Sequence, residues 1–229
     1  LLVTADGKVY SFGSNSYGQL GRTGNVYTPE EIPNLENIEK VSAGNYHSMA
    51  IDKEGNVYTW GYNQNGQLGT RISNSIPTKI KLTNITKIAT KNNTSAAIDG
   101  DGNLYTWGYN SYGQQGISID NIYTPRKVPT LEQIIDVAVE NNTIIVLDKK
   151  GEVLSSGYNT YGNLGNNATQ SRKSFDKVIE KYETITTGEG EEAQPTTTPI
   201  YLSGVKSIQA GNEFAVAIKE DGTAISWGY

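Results

Sequence analysis

The sequence predicts an all-β fold: a β-propeller of four-stranded antiparallel blades, present as a partial ring of about four to five repeats. Three observations predict it. The phrase Trp60-Gly61-Tyr62-Asn63-Gln64-Asn65-Gly66-Gln67-Leu68-Gly69 returns in near copies along the chain. Each copy is surrounded by the same short β-rich runs, four to a unit. No stretch carries the three-to-four-residue apolar period of a helix.

The copies start at Phe12-Gly13, Trp60-Gly61, Trp107-Gly108, Ser156-Gly157 and Trp227-Gly228, and their glycines recur at intervals of 48, 47, 49 and 71 residues. Such a spacing marks stacked repeat units rather than independent domains. Within the second unit, Lys40-Val41-Ser42-Ala43 forms one short strand. Ser48-Met49-Ala50-Ile51 and Val57-Tyr58-Thr59-Trp60 then flank a turn at Glu54-Gly55-Asn56, which reads as a hairpin. The equivalent turns carry Asp6-Gly7, Asp101-Gly102, Lys150-Gly151 and Asp221-Gly222, and glycine supplies the positive φ a tight turn needs. A proline-led run such as Ile76-Pro77-Thr78-Lys79-Ile80 or Thr124-Pro125-Arg126-Lys127-Val128 supplies the fourth strand, at an edge where no ladder N–H is lost.

Side-chain size refines the picture. Ser48 and Ala50, Ser95 to Ala97, and Ala215 with Ala217 occupy the same strand of successive units, which places that strand where blades converge on the axis. Tyr58 with Trp60, and Tyr105 with Trp107, share a face under period-two alternation, so the tryptophans read as wedges between blades. The 71-residue interval holds an insert over 180–203, low in hydrophobicity and acidic at Glu189, Glu191 and Glu192. It reads as a flexible exposed loop, and these glutamates are candidate partner contacts.

These motifs resemble the RCC1 repeat, named for the regulator of chromosome condensation. Ala43-Gly44-Asn45-Tyr46-His47-Ser48, Trp60-Gly61 and Gly66-Gln67-Leu68-Gly69 carry the likeness, and it recurs in register over the whole chain. The resemblance implies a seven-bladed ring. The chain begins and ends inside a repeat and would form an arc of it, which roughly a hundred further residues would close. His47 gives way to Thr94, Thr143 and Phe214 in the matching slots, and Gly44 to Asn92 or Glu140.

Composition excludes several function classes. The chain has no cysteine and one histidine, which removes disulfides, thiolate metal sites, cysteine nucleophiles and two-histidine metal sites. A net charge of −5 without a basic stripe lacks the footprint of nucleic-acid binding. No apolar run is long enough to insert in a membrane. Asp99-Gly100-Asp101-Gly102-Asn103 begins like a calcium loop, but Leu104 and Asn110 stand where that loop needs glycine and glutamate, so it reads as a hairpin turn. The glycine-rich loops precede strands rather than helices and do not read as phosphate cradles. No catalytic residue, metal site, cofactor or small-molecule substrate is indicated.

The reading is therefore a non-enzymatic protein-interaction scaffold. Tyr17, Tyr62, Tyr109, Tyr112, Tyr158 and Tyr161 fall in loops that a propeller presents on one face. Tyr112 and Tyr161 hold a consensus slot and read as framework, leaving Tyr62, Tyr109 and Tyr158 as the candidate contacts. The Asn-, Tyr- and Gly-rich style resembles secreted or cell-surface RCC1-like proteins of bacteria. The resemblance also implies two alternatives: a guanine-nucleotide exchange factor for a small GTPase, and an inhibitor of a secreted enzyme such as a β-lactamase.

Overall fold

A computed structural model describes residues 1–117, 120–187 and 194–229. The blades are antiparallel sheets in simple sequential order. The first holds β1 (Leu2–Val3), β2 (Val9–Ser11) and β3 (Glu30–Glu31). Three full blades follow: β4 (Ile38–Ala43), β5 (His47–Asp52), β6 (Val57–Gly61) and β7 (Asn74–Lys79); β8 (Ile85–Lys91), β9 (Thr94–Asp99), β10 (Leu104–Gly108) and β11 (Ile122–Lys127); β12 (Ile134–Val139), β13 (Thr143–Asp148), β14 (Val153–Gly157) and β15 (Arg172–Lys177). A two-stranded hairpin, β16 (Ile179–Thr187) and β17 (Gln194–Tyr201), precedes the last sheet: β18 (Val205–Ala210), β19 (Phe214–Lys219) and β20 (Ala224–Gly228). The described residues contain no helix and form an arc that does not close into a ring.

The hairpin turns owe their shape to one carboxylate. Asp52 accepts from the backbone N–H of Glu54 and Asn56, from Asn56 Nδ2 and from the Tyr58 hydroxyl. Asp99 repeats the set with Asp101, Asn103 and Tyr105, so both of its oxygens are taken by protein donors, as a hairpin turn requires. Burial pushes both carboxyls upward, but these donors outweigh it and hold Asp52 and Asp99 below the usual carboxylate range.

The strands β4, β8, β12 and β18, the first of their sheets, line the axis. Ser42 Oγ lies 2.9 Å from Thr90 Oγ1 of the next blade, and Lys87 pairs with Asp136 at 2.8 Å. The expectation that the small-residue strand converges on the axis is corrected here. β5 and β9 are the second strands, buried along their whole length between neighbouring blades. Their serines and alanines admit the adjacent blade and the indole of the third strand.

That indole is the wedge. Trp60 and Trp107 are fully buried, and each Nε1 donates across the blade boundary, to the Gln19 and Gln67 carbonyls at 2.9 Å. Ser48 and Ser95 donate to the same carbonyls at 2.9 and 2.8 Å. The glycine that ends the preceding loop lets the ring approach. Gly69 has φ +70°, and a Cβ there would stand 3.1 Å from Trp107 Nε1. The next blade solves the problem differently. Ser156 replaces tryptophan and donates to the Gly113 carbonyl at 2.9 Å. The missing volume comes from the adjacent strand, where Phe175 holds the slot of Pro77 and Pro125 and its ring packs against Gly116.

The insert departs from expectation. Its described arms are not an irregular loop but β16 and β17, paired in register from Ile179↔Tyr201 to Thr187↔Gln194. Threonine, isoleucine and tyrosine dominate both arms, and such residues favour strands. Val178 and Leu202, both buried, join by a 2.9 Å backbone bond at the hairpin base, and Lys219 grips Glu180 at 3.0 Å. Glu189, Glu191 and Glu192 lie outside the described residues.

Two substitutions test the wedge exchange. Ser156→Trp alone should collide with Phe175 and cost about 1–3 kcal/mol of unfolding free energy. Adding Phe175→Pro should recover most of that loss, giving a non-additive cycle in urea denaturation.

Candidate protein-interaction face

The loop after each Trp-Gly pair is rigid because one asparagine ties its ends. Asn63 Oδ1 accepts from the Leu68 N–H at 2.9 Å, and its Nδ2 donates to the Thr70 and Ile72 carbonyls. Asn15, Asn110 and Asn159 make the equivalent bonds. The residue four positions on braces the tip: Gln67 Oε1 accepts from the Asn65 N–H, and Gln19 Oε1 from the Tyr17 N–H. Buried amides thus hold each loop while its tyrosines project.

The tyrosines meet across blade boundaries. Tyr17 packs edge-on against Tyr62 at 4.8 Å and tilts against Tyr46 at 4.9 Å. Further along, Tyr109, Tyr112, Tyr158, Tyr161 and Tyr229 run in sequence at centroid separations of 6.3, 5.1, 6.2 and 5.0 Å. In the pairs Tyr17–Tyr62, Tyr112–Tyr158 and Tyr161–Tyr229 the consensus-slot tyrosine of one blade meets the post-glycine tyrosine of the next. Asn65 occupies the consensus slot between the two runs and separates them.

All three candidate contacts, Tyr62, Tyr109 and Tyr158, lie on this face, half-buried. The consensus-slot rings Tyr17, Tyr112 and Tyr161 are the more exposed, at 47%, 37% and 46%. They flank the half-buried rings and share the surface. Tyr46 joins the first run from a different loop, the one that precedes β5, where neither spacing nor the repeated phrase marks it.

A polar recess of about 220 Å³ opens where the last three blades meet on this face, lined in part by Tyr112, Tyr158 and Tyr161. Glu140 lines it. Its residue occupies the glycine slot of the repeat: the Glu140 N–H bonds to the Thr143 carbonyl as Gly44 does to His47, and Lys91 takes that slot in the intervening blade, with Asn92 one place on. Glu140 is 1% exposed. Asn163 Nδ2 donates to its Oε1 at 2.9 Å, and Oε2 has no hydrogen-bond partner. Burial pushes its carboxyl up to about 7; the Asn163 bond opposes this, the Glu213 charge adds to it, and Lys91 opposes it weakly.

His47 is framework, as the repeat pattern implies. Its Nε2 lies 2.9 Å from Ser95 Oγ of the next blade, and that hydroxyl gives its proton to the Gln67 carbonyl, so Nε2–H is the donor. Burial lowers its pKa to about 4, against a smaller upward pull from the Asn92 backbone. No cluster of metal-ligating side chains occurs among the described residues.

The RCC1-like domain model matches residues 1–229. No curated protein matches in sequence. Among solved structures, human WBSCR16 superposes with a TM-score of 0.76 at 23% identity, covering 96% of this chain and 56% of that one. Prp20p of Saccharomyces cerevisiae, described with its binding to Gsp1p and histones, gives 0.77 at 23% identity, covering 99% and 55%. The chain therefore spans a little over half the length of these relatives, whose likeness shows the fold.

His47 and Glu140, both buried, predict opposite pH effects. Neutral His47 contributes stability that is complete above pH 6.5 and is lost as pH falls toward 4, by up to about 3 kcal/mol. His47→Gln should gain on the wild type over that window in denaturant melts. Glu140 contributes stability present below pH 4.5 and lost as pH rises through 7. Glu140→Gln should match the wild type at pH 4.5 and exceed it in midpoint at pH 8.

Proposed function

Because the chain belongs to the RCC1-like domain family, we propose that it is a non-catalytic scaffold that binds a protein partner through the tyrosine face. The observation that carries this reading is the alignment of rings from successive blades on one surface, each loop held by buried amides. Tyrosine gives a large contact area with few rotatable bonds, and a pre-ordered loop loses little entropy on binding. Each run crosses at least one blade boundary, so a partner would engage several loops at once.

A secreted or cell-surface setting in a bacterium is part of the proposal. It is supported by a chain rich in asparagine, tyrosine and glycine, in the manner of surface-exposed RCC1-like proteins. The exchange-factor alternative draws on the likeness to Prp20p, described with its binding to Gsp1p. The enzyme-inhibitor alternative uses the same face and differs only in the partner.

Affinity measurements decide among these. Replacing Tyr112 and Tyr161 with serine, and in a second variant Tyr62, Tyr109 and Tyr158 with alanine, should each weaken a partner at least tenfold, about 1.4 kcal/mol, without changing the β-sheet circular dichroism. Unchanged affinity in both would move the interface elsewhere. Accelerated nucleotide release from a small GTPase would establish the exchange-factor reading, and inhibition of a secreted hydrolase the inhibitor reading.

A further inference from the structure

The recess beside Glu140 holds a chemical imbalance. In the glycine slot of the repeat, Gly44 and Gly211 place no side chain; here a carboxylate is buried to 1% exposure with one oxygen bonded to Asn163 and the other unpartnered. A buried carboxylate oxygen without a donor is costly, and native structures rarely leave one. The second acid, Glu213, approaches from the neighbouring blade, close enough for its charge to act on Glu140. The Glu140 carboxylate accepts its hydrogen bond from the neutral Asn163 amide, and Lys91 is the smallest of the influences on it. The mouth is walled by Tyr112, Tyr158 and Tyr161, with Tyr112 edge-on to Tyr158 at 5.1 Å.

We propose that this recess receives the positively charged side chain of a lysine or arginine from a partner protein, with Glu140 and Glu213 as its anionic contacts and the tyrosine rings as its walls. Each feature of the site has a counterpart in such a cation. Its N–H groups supply the donor that Glu140 Oε2 lacks, and its charge relieves the repulsion between the two acids. Its alkyl stem and cationic head both find favourable contact against tyrosine rings. A neutral polar ligand would satisfy the hydrogen bond but leave the paired negative charges uncompensated. The inference rests on the protein-interaction reading and narrows it, making the recess the anchor point of the tyrosine face. Glu140 must be ionised to act. Glu213 disfavours that form, Lys91 and the incoming cation favour it, and the other ionisable groups facing the recess are the hydroxyls of Tyr112, Tyr158 and Tyr161. Binding should therefore strengthen as pH rises.

The test uses the full chain with small probes, so it reads the recess independently of any partner. Nα-acetyl-lysine amide and Nα-acetyl-arginine amide, with neutral Nα-acetyl-citrulline amide as the isostere, are titrated while the backbone amide resonances of Glu140, Asn163 and Tyr158 are followed. At least one cationic probe should give saturable shifts at all three residues, about tenfold tighter at pH 8 than at pH 5.5, with citrulline about tenfold weaker than arginine. Glu140→Gln should abolish the difference between charged and neutral probes, while Glu183→Gln on the exposed hairpin should preserve it. Equal binding of arginine and citrulline probes, or an unchanged response in Glu140→Gln, overturns the proposal. So does saturable binding of maltohexaose at these residues with no response to the cations, which would make the recess a sugar site. If the probes fail here while the tyrosine variants still weaken a protein partner, the scaffold reading stands without this anchor. If the probes bind as expected and the tyrosine variants have no effect, the scaffold reading moves to another surface.

Discussion

A single carbonyl at each of the first two blade boundaries organises this fold. The oxygens of Gln19 and Gln67 each accept two protons from the following blade, one from an indole and one from a serine hydroxyl. Two donors of different reach fix both the distance and the rotation of one sheet against the next. They also fix where the loop containing that glutamine sits, because the carbonyl belongs to the loop tip. Blade packing and loop position are therefore one constraint, and the tyrosine face is ordered by the same bonds that close the core.

The indole bond is worth only about 1 kcal/mol net, like most buried hydrogen bonds, and the volume of the wedge contributes more through burial. That division explains how the blade of β12 to β15 tolerates Ser156. Its hydroxyl keeps a bond to the preceding loop, and Phe175 restores the volume from the strand alongside. Geometry and bulk are separable, and the protein supplies them here from two residues instead of one.

The sequence made the architecture readable because its strongest signals are local and repeated: glycines at turns, proline at edge strands, tryptophan at a fixed step after the hairpin. Its weakest signal concerned which strand faces the axis. Small residues are needed wherever backbones approach closely, and Ser48 or Ala97 lies at such an approach without being at the centre. The insert misled for a related reason. Its polarity suggested a loop, yet threonine-rich arms pair without burying much, so hydropathy alone did not reveal β16 and β17. The candidate tyrosines were legible as a set because they recur in the loops. Their relative exposure was not, since it depends on contacts across blade boundaries. Glu140 was visible as a departure from the glycine slot, but only its burial and its unpartnered oxygen mark it as chemically distinct.

The hairpin β16–β17 leaves the blade between two buried anchors, Val178 and Leu202, joined by one backbone bond. In the other full blades the same joint needs only a residue or two: Lys81 lies between Ile80 and Leu82, and Pro129 with Thr130 between Val128 and Leu131. The anchors are satisfied in both situations, so the joint is indifferent to what is threaded through it. Such a joint decouples evolutionary growth from folding. New sequence can be spliced into one blade while its neighbours keep their register, and a repeat protein of this kind can acquire an appendage at one point of its circumference without rebuilding the symmetry that holds it together.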